Sequence, residues 1–210
     1  MQLVLASNNR KKLAELQAVL APAGVELIAQ GTLGVAEADE PFHTFIENAL
    51  AKARHAARHT GAAAIADDSG LCVDALGGAP GVISAHYAGA IGDAAADRET
   101  VRARQDAANN ALLLQRLDGA ADRRARFVST LVAVRSHDDP EPLVAVGRWN
   151  GEILTAPRGS GGFGYDPLMF IPALGAAAAE LAPDVKNAHS HRARAAVQML
   201  ALMRDAWRRG

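Results

Sequence analysis

The sequence predicts an α/β protein, and three observations support that prediction. A short apolar run at residues 3–6 is followed, after a polar loop, by leucines at helical spacing up to Leu20, which indicates a strand, a loop and a helix. Two runs rich in β-branched residues, 126–134 and 143–149, flank a cluster of turn residues and predict an antiparallel hairpin. The 210 residues are 50% hydrophobic and 21% charged, which is enough apolar material for a packed core. We therefore expect a single domain over residues 1–210.

The charge balance of the chain limits its partners. The 22 lysines and arginines against 23 acidic residues leave a formal charge of -1, so no global field attracts nucleic acid or an anionic membrane. Cys72 is the single cysteine, which excludes an internal disulfide and fits a reducing cytoplasm. No apolar run approaches the roughly 20 residues of a membrane span, and the opening residues lack the pattern of a signal peptide. We expect a cytoplasmic protein that binds neither nucleic acid, RNA included, nor membrane.

Local signals place the remaining elements. Thr44 and Glu47 have the spacing of a capping box, in which each side chain satisfies a free backbone amide, and good helix formers continue to Arg58. Further strands are predicted at 25–29, 62–66 and 168–171, and further helices at about 95–117 and 190–207.

A polar segment between the first strand and the first helix is a candidate phosphate site. Open α/β sheets bind ligands at such turns, and the amides of a helix start beside a lysine suit a phosphate. The segment consists of Ser7, Asn8, Asn9, Arg10, Lys11 and Lys12. It has no G-x-x-x-x-G-K-[ST] signature, so the segment taken alone favours the alternative of a solvated loop with three surface cations.

Three carboxylates are candidate ligands for a metal ion. Glu40, Asp67 and Asp68 supply the hard oxygens that Mg²⁺ takes beside a phosphate. Consecutive side chains on a strand face opposite ways, so the two aspartates are expected to do different jobs. The alternative is that Asp-Asp-Ser-Gly, residues 67–70, is simply a good turn.

A glycine-rich loop and a basic cluster complete the candidate site. Phe163 and Tyr165 lie among glycines, where two rings are hard to explain by core packing and offer flat surfaces for a base. The basic cluster before the last helix consists of Lys186, His189, His191 and Arg192. Its alternatives are a solvated face or a zinc site, and zinc is disfavoured because the sequence has no His-Glu-x-x-His pair and no nearby cysteine.

Six segments, in order along the chain, resemble those of a known family. They are ASNNRKK at 6–12, TFIENA at 44–49, ADDSGL at 66–71, GGAPG at 77–81, GFGYDP at 162–167 and SHR at 190–192. Together they resemble the inosine/xanthosine triphosphate pyrophosphatase family, whose members act on purine triphosphates with non-standard bases. The resemblance covers almost the whole chain, and several ordered motifs are more specific than any one of them.

The resemblance implies a fold, a reaction and a set of site residues. The fold would be an elongated α/β structure with a long mixed β-sheet, flanking helices and two lobes around an active-site cleft, commonly in a homodimer. The reaction would be Mg²⁺-dependent cleavage of ITP, dITP and XTP to the monophosphate and pyrophosphate. Glu40 and Asp68 would hold the metal, and Asp68 would be the proton acceptor. Substrate would contact Ser7, Asn8, Asn9, Arg10, Lys11, Lys12, Ser69, Phe163, Gly164, Tyr165, Asp166, Lys186, His191 and Arg192.

Two departures and two alternative functions remain. His86 stands where the family often has arginine, so a phosphate or interface contact made there would be weaker or pH-dependent. The helix near residues 94–109 looks longer than is common in the family. One alternative function is a non-catalytic nucleotide-binding module, which metal-dependent turnover would exclude. The other is a Maf-type pyrophosphatase acting on modified pyrimidines, against which the Phe-Gly-Tyr-Asp-Pro and Ser-His-Arg motifs speak.

Overall fold

A computed structural model describes residues 1–92 and 97–207. The strands are β1 (Gln2–Leu5), β2 (Glu26–Ala29), β3 (Ala64–Val73), β4 (Arg124–Val134), β5 (Leu143–Ile153), β6 (Met169–Ile171) and β7 (Ala176–Ala177). They form one seven-stranded sheet in the order β2-β1-β3-β4-β5-β6-β7. β1 pairs in parallel with β2 and β3, whereas β6 pairs antiparallel with β5 and β7. The sheet is therefore mixed, and the predicted α/β class is confirmed.

Five helices accompany the sheet. They are α1 (Arg10–Leu20), α2 (Phe45–Thr60), α3 (Arg98–Arg116), α4 (Pro183–His189) and α5 (His191–Ala206). Within residues 1–92 and 97–207, none of them is both long and apolar enough to cross a membrane. The start of the predicted helix at 95–117 falls partly outside the described residues, since Ala95 and Ala96 are not described.

The chain divides into two compact units, each built from separate stretches of sequence. The first unit comprises residues 1–69, 128–148 and 187 onward, and the second comprises 70–127 and 149–186. The prediction of a single domain over the whole chain stays a prediction.

The first unit has two apolar clusters. In one, Leu3 and Leu5 of β1 are buried with Leu16 and Leu20 of α1 and with Met199 of α5. The other consists largely of small side chains, in which the alanines of α2 pack against β1, β3 and β4: Val4, Ala6, Ala49, Ala53, Ala56, Ala57, Ala64, Ala66, Val132 and Val134. Alanine adds no bulk at such a contact, so α2 lies close to the sheet.

The second unit has a core with larger side chains. Leu113 and Leu117 of α3 are buried with Trp149 and Ile153 of β5 and with Leu168. The Ile153 N–H donates to the carbonyl of Arg123 at 2.9 Å, which places the end of β5 beside the start of β4. Because these two strands are neighbours in the sheet, the predicted hairpin is antiparallel as expected.

The cap of α2 differs in detail from its prediction. Thr44 Oγ1 accepts from the Glu47 N–H at 3.3 Å, as a capping box requires. The Glu47 carboxylate, however, accepts from the Thr44 hydroxyl at 2.6 Å and not from a backbone amide. Only half of the predicted box is formed, and α2 still begins at Phe45 and ends at Thr60 before Gly61.

The larger correction concerns β3. The strand was expected to end at Ala66, with a turn as one interpretation of the next four residues. It instead continues through Asp67, Asp68, Ser69 and Gly70 to Val73. The turn interpretation is therefore wrong, because the polar side chains of this segment lie within a strand whose neighbours supply partners for them.

Candidate active site

Asp67 is the centre of a buried cluster of ion pairs in the first unit. Its Oδ2 lies 3.0 Å from Lys12 Nζ, 2.9 Å from Ser69 Oγ and 3.3 Å from Arg192 Nε. Its Oδ1 accepts from the Ser129 hydroxyl at 2.6 Å. Burial alone would raise the pKa of Asp67, but Lys12, Arg192 and the Ser129 hydroxyl together hold it well below its usual range. Asp67 is therefore ionised, and it fixes two cations.

Arg192 joins this cluster from the start of α5. Its Nη1 donates to Glu15 of α1 and its Nη2 donates to Ser69 Oγ at 3.0 Å. With the bond to Asp67, all three guanidinium nitrogens donate to protein acceptors, and the side chain is only 3% exposed. Burial opposes the charge of Arg192, but Asp67 and Glu15 outweigh it and raise the pKa. Arg192 therefore positions Ser69 and Asp67, and Glu15 is a member of the site that the sequence did not suggest.

Asp68 faces a different partner, as strand alternation predicts. Lys52 Nζ of α2 donates to Asp68 Oδ1 at 2.8 Å, to Glu40 Oε2 at 2.8 Å and to the Asp67 carbonyl at 3.1 Å. Asp68 Oδ2 is buried and has no hydrogen-bond partner within the described part of the chain. One oxygen of Asp68 is thus fixed by a lysine, the other is buried without a hydrogen-bond donor in the described residues, and the carboxyl group lies within reach of that of Glu40.

The two carboxylates bound to Lys52 have pKa values shifted in opposite directions. Burial, with a further contribution from Glu40, outweighs Lys52 and raises the pKa of Asp68 to about 6. Burial also acts on Glu40, whose side chain is 45% exposed, but there Lys52 outweighs it and the pKa is lowered. At neutral pH both groups are largely ionised, and only Asp68 is close to its titration range.

This pair fits a magnesium ion in its donor set. Carboxylate oxygens, with water and phosphate oxygens in the remaining positions, are what Mg²⁺ takes beside a phosphate. The buried Oδ2 of Asp68 without a hydrogen bond is the observation that favours such a ligand. No group of three or more His, Cys, Asp and Glu residues that could hold a metal occurs among residues 1–92 and 97–207.

The segment before α1 is only partly arranged as predicted. Asn9 is the N-cap, and its Oδ1 accepts from the amides of Lys11 and Lys12 at 3.0 and 3.3 Å. Ser7 Oγ accepts from the Asn9 amide at 3.2 Å. The helix start is therefore capped by its own side chain, and of the six predicted residues Lys12 is the one that reaches the aspartates of β3.

The other members of that segment lie at or near the surface. Arg10 and Lys11 are exposed, as the solvated-loop interpretation expects. Asn8 packs against Gly31 so closely that a Cβ at position 31 would lie 2.3 Å from Asn8 Oδ1. Gly31 therefore lets the amide side chain of Asn8 lie beside the second strand's end.

The glycine-rich loop belongs to the second unit and is held by a buried ion pair. Asp166 Oδ2 accepts from Lys186 Nζ at 2.6 Å and from the Phe163 N–H at 2.8 Å. A Cβ at Gly162, whose φ is +73°, would lie 2.0 Å from the same oxygen. Lys186 Nζ also lies 4.9 Å from the centroid of the Phe163 ring. Asp166 and Lys186 thus fix the loop that carries Phe163.

Helix α3 holds the same loop from another side. The Gly164 N–H donates to Asp106 Oδ2 at 2.8 Å, and the Gly164 carbonyl accepts from Asn110 Nδ2 at 2.9 Å. Asp106 and Asn110 are one helical turn apart, so one face of α3 binds both polar groups of one residue. Only their i, i+4 spacing could have indicated these two residues from the sequence.

Tyr165 corrects the expectation that both rings of this loop lie outside the core. It is 5% exposed and belongs to the apolar cluster of the second unit. Its hydroxyl donates to the Ser84 carbonyl at 2.8 Å, and burial raises its pKa. Core packing therefore explains Tyr165, and Phe163 is the partly exposed ring of the two.

The predicted basic cluster is divided by the structure. Lys186 lies in the second unit, whereas His191 and Arg192 lie in the first, where Ser190 caps α5. All three are buried, so the solvated-face interpretation is wrong for them, and it holds for the exposed His189. His86 is exposed at the end of a short 3-10 turn, Gly81–His86.

Lys52 is the principal residue of the site that the sequence analysis missed. It stands among Ala49, Ala53, Ala56 and Ala57 on the buried face of α2. A lysine on a helix face whose other buried residues are Asn48 and four alanines is a signal, because a charge is almost never fully buried unless it is paired.

The chain is similar to known proteins over almost its whole length. The model of the Ham1 family matches residues 3–202. The dITP/XTP pyrophosphatase of Leptothrix cholodnii is 71% identical over 210 residues, and that of Methylibium petroleiphilum is 70% identical over 207, with 99% of each chain covered in both cases. Among solved structures, a HAM1 protein from Coxiella burnetii is similar with a TM-score of 0.84 and 42% identity, over 98% of this chain and 100% of that one.

Proposed function

The chain belongs to the Ham1 family, and on that premise we propose that it hydrolyses dITP, ITP and XTP to the nucleoside monophosphate and pyrophosphate. The observation that carries the proposal is the state of Asp68. Its Oδ1 is fixed by Lys52, its Oδ2 is buried without a hydrogen bond, and the adjacent Asp67 holds Lys12. This arrangement sets acidic and basic groups side by side, as a site for a metal-bound phosphate requires.

The proposed cofactor is Mg²⁺, held by Glu40 and Asp68. When bound, it supplies positive charge that offsets the charge on the phosphate oxygens. The alternative of a binding module without catalysis is less favourable, because two carboxylates at a phosphate site repel the ligand unless a cation is bound between them.

The residues of the chain then have separate tasks in phosphoryl transfer. Lys12 and Lys52 add fixed positive charge near the phosphates, and preorganised charge is the largest contribution to such reactions. Asp68 Oδ2 accepts a hydrogen bond from the attacking water and orients it, since each carboxylate oxygen has two lone pairs. Asp68 is ionised at neutral pH, and a bound cation would favour its charged form further, so its proposed task is to orient the water.

The loop at residues 163–166 is the proposed site for the base. Phe163 offers a partly exposed ring, and its backbone is fixed by Asp166 and by the helix that binds Gly164. Hypoxanthine and xanthine carry an oxygen at position 6, where adenine carries an amino group. A backbone donor facing that position pairs with the first two and is left unpaired by adenine, which costs roughly 1–3 kcal/mol, or about 5- to 150-fold. We therefore expect ATP to be a poor substrate, and GTP to be rejected less strongly.

The proposed setting is the cytoplasm, and the proposed assembly is a homodimer. Four large apolar side chains of the first unit are 42–62% exposed and are available to an interface: Leu33, Phe42, Ile46 and Val197. Sedimentation of the purified protein at micromolar concentration measures this directly, and a monomer would contradict it.

A panel assay tests the proposed reaction. The purified protein is incubated with Mg²⁺ and, separately, with ITP, dITP, XTP, GTP, ATP and dUTP, and pyrophosphate is measured apart from phosphate. We expect pyrophosphate and the monophosphate from the first three substrates, and no turnover after chelation with EDTA. Formation of IDP from ITP, preference for dUTP, or equal catalytic efficiency on ATP and ITP would each contradict the proposal.

A further inference from the structure

Two histidines lie together on α2, away from the carboxylates described above. His55 and His59 are one helical turn apart, with ring centroids separated by 4.2 Å and ring planes inclined by 42°. His59 is exposed and His55 is partly exposed, so a solute ion has access to the pair. Their separation on the helix is the i, i+4 spacing with which two histidines bind one metal ion.

Backbone carbonyls fix which nitrogen of each ring carries the proton. His55 Nε2 lies 3.1 Å from the Ala36 carbonyl oxygen, and His59 Nδ1 lies 2.9 Å from the His55 carbonyl oxygen. A carbonyl oxygen only accepts, so each of these nitrogens is a donor in the neutral ring. The remaining nitrogens, His55 Nδ1 and His59 Nε2, therefore carry lone pairs, and neither has a hydrogen-bond partner within residues 1–92 and 97–207.

This arrangement is the one that supports metal-binding histidines. A ligating imidazole usually donates its second N–H to a carbonyl or carboxylate, which fixes the tautomer and the orientation of the ring. Here the supporting acceptors are present on both rings. Neutral imidazole suits Ni²⁺, Cu²⁺ and Zn²⁺, whereas Mg²⁺ prefers oxygen ligands.

We propose that His55 Nδ1 and His59 Nε2 form a two-ligand site for a divalent transition-metal ion, separate from the Glu40 and Asp68 pair and independent of the proposed hydrolysis. Water completes the coordination, so the ion exchanges readily. The ion links the ring of His59, near the end of α2, to the ring of His55. The His55 ring also binds the Ala36 carbonyl in the segment before the helix.

Isothermal titration calorimetry of the protein without a polyhistidine tag tests the site, with Ni²⁺ as the probe. We expect one ion per chain, no competition from millimolar Mg²⁺, and at least about tenfold weaker binding in His55→Gln and in His59→Gln, since loss of a supporting contact alone costs that much. His43→Gln is the matched control, because His43 is exposed in the same unit and lies outside the pair. It should bind Ni²⁺ as the unsubstituted protein does.

Thermal unfolding with and without Ni²⁺ provides the second measurement. Ni²⁺ should raise the Tm of the unsubstituted protein and of His43→Gln, and should leave that of His59→Gln unchanged. Circular dichroism checks that each variant is folded, and Mg²⁺-dependent turnover of ITP should be the same in all of them. Unchanged Ni²⁺ affinity in folded His59→Gln, or equal loss in His43→Gln, would overturn the assignment.

Discussion

Asp67 and Asp68 are adjacent carboxylates with pKa values shifted in opposite directions. Lys12 and Arg192 hold Asp67 ionised despite its burial, whereas burial and the nearby Glu40 raise the pKa of Asp68 to about 6. Neighbouring groups whose environments separate their pKa values are the usual basis for dividing acid–base tasks within a site. The separation here follows from β-strand alternation, which directs one side chain to α1 and α5 and the other to α2.

Asp68→Asn should reduce kcat by about a thousandfold or more while the protein remains folded. The change removes the negative charge proposed to hold the metal and orient the water, and the side chain keeps nearly the same shape. The Tm in metal-free buffer at pH 7.5 should fall, because the change leaves the buried Lys52 with Glu40 and the Asp67 carbonyl as its remaining partners. Steady-state kinetics across a Mg²⁺ titration measures the first effect and calorimetry the second. Turnover near that of the unsubstituted enzyme would show that Asp68 is not at the reacting centre.

Lys52→Met tests the residue that the structure adds to the site. Removing one partner of a buried ion pair leaves the other charge uncompensated, at a cost of about 3–5 kcal/mol. We expect a loss of stability at pH 7.5 that is partly restored in the double variant Lys52→Met/Asp68→Asn, because the second change removes the unpaired charge. Urea unfolding measures both. Lys11→Met, at an exposed position, is the matched control and should be nearly neutral.

At the scale of elements, α3 binds the loop of the proposed base site at Gly164. Asp106→Ala and Asn110→Ala each remove one hydrogen bond to that residue, worth about 0.5–1.5 kcal/mol. Each should raise KM for XTP by about 2- to 12-fold, with kcat and the Mg²⁺ dependence little changed. Asp118→Ala, exposed just after α3, should alter neither parameter. A fall in kcat at constant KM would instead place the loop near the reacting phosphate.

Local signals were sufficient to predict elements whose ends depend on nearby residues. Thr44 and Gly61 mark the ends of α2 through hydrogen bonds within a few residues, and sequence alone located that helix. The course of β3 through Asp67 and Asp68 depends on Lys12, Lys52, Ser129 and Arg192, which are far away in sequence. The turn propensity of residues 67–70 was overridden because these distant groups supply hydrogen bonds and ion pairs to the two carboxylates within the strand.

Site residues that lie inside a recognisable sequence motif could be predicted. Residues outside the motifs that only bind and orient those residues could not. Asp68, Glu40 and Lys12 lie in recognisable segments: Asp68 and Glu40 share Lys52, and Lys12 pairs with the adjacent Asp67. Lys52, Glu15 and Asp106 act on those segments from helices, where a single charged residue resembles an ordinary surface residue. Tyr165 shows the opposite error, because it was predicted to be a site residue outside the core. Its ring packs in the apolar core of the second unit although its neighbours in sequence are glycines.

For the molecule as a whole, the near-zero net charge conceals many paired charges. Several carboxylates have pKa values below their usual range, among them Asp67, which burial would raise but Lys12 and Arg192 lower, and Asp139, which Arg135 lowers. Each such group binds a proton more readily in the unfolded chain. The stability that it contributes is present above the unfolded pKa, near 4, and is lost as the pH falls toward the folded pKa.

We therefore expect the free energy of unfolding in urea to fall steeply below about pH 5, and Asp139 allows the cause to be isolated. Asp139 Oδ2 accepts from the Arg135 amide and from Arg135 Nε at 2.8 and 3.0 Å, and its Oδ1 accepts from Arg135 Nη2 and the Glu141 amide at 2.9 and 3.0 Å. Asp139→Asn should cost about 1–3 kcal/mol at pH 7, because hydrogen bonds to a charged acceptor are lost. The difference from the unsubstituted protein should shrink as the pH is lowered from about 4 to about 2.5, because the unfolded chain takes up a proton at Asp139 there while the folded protein keeps the group ionised. If the difference in the free energy of unfolding stays constant from pH 7 to pH 2.5, the charge of Asp139 does not stabilise the connection between β4 and β5.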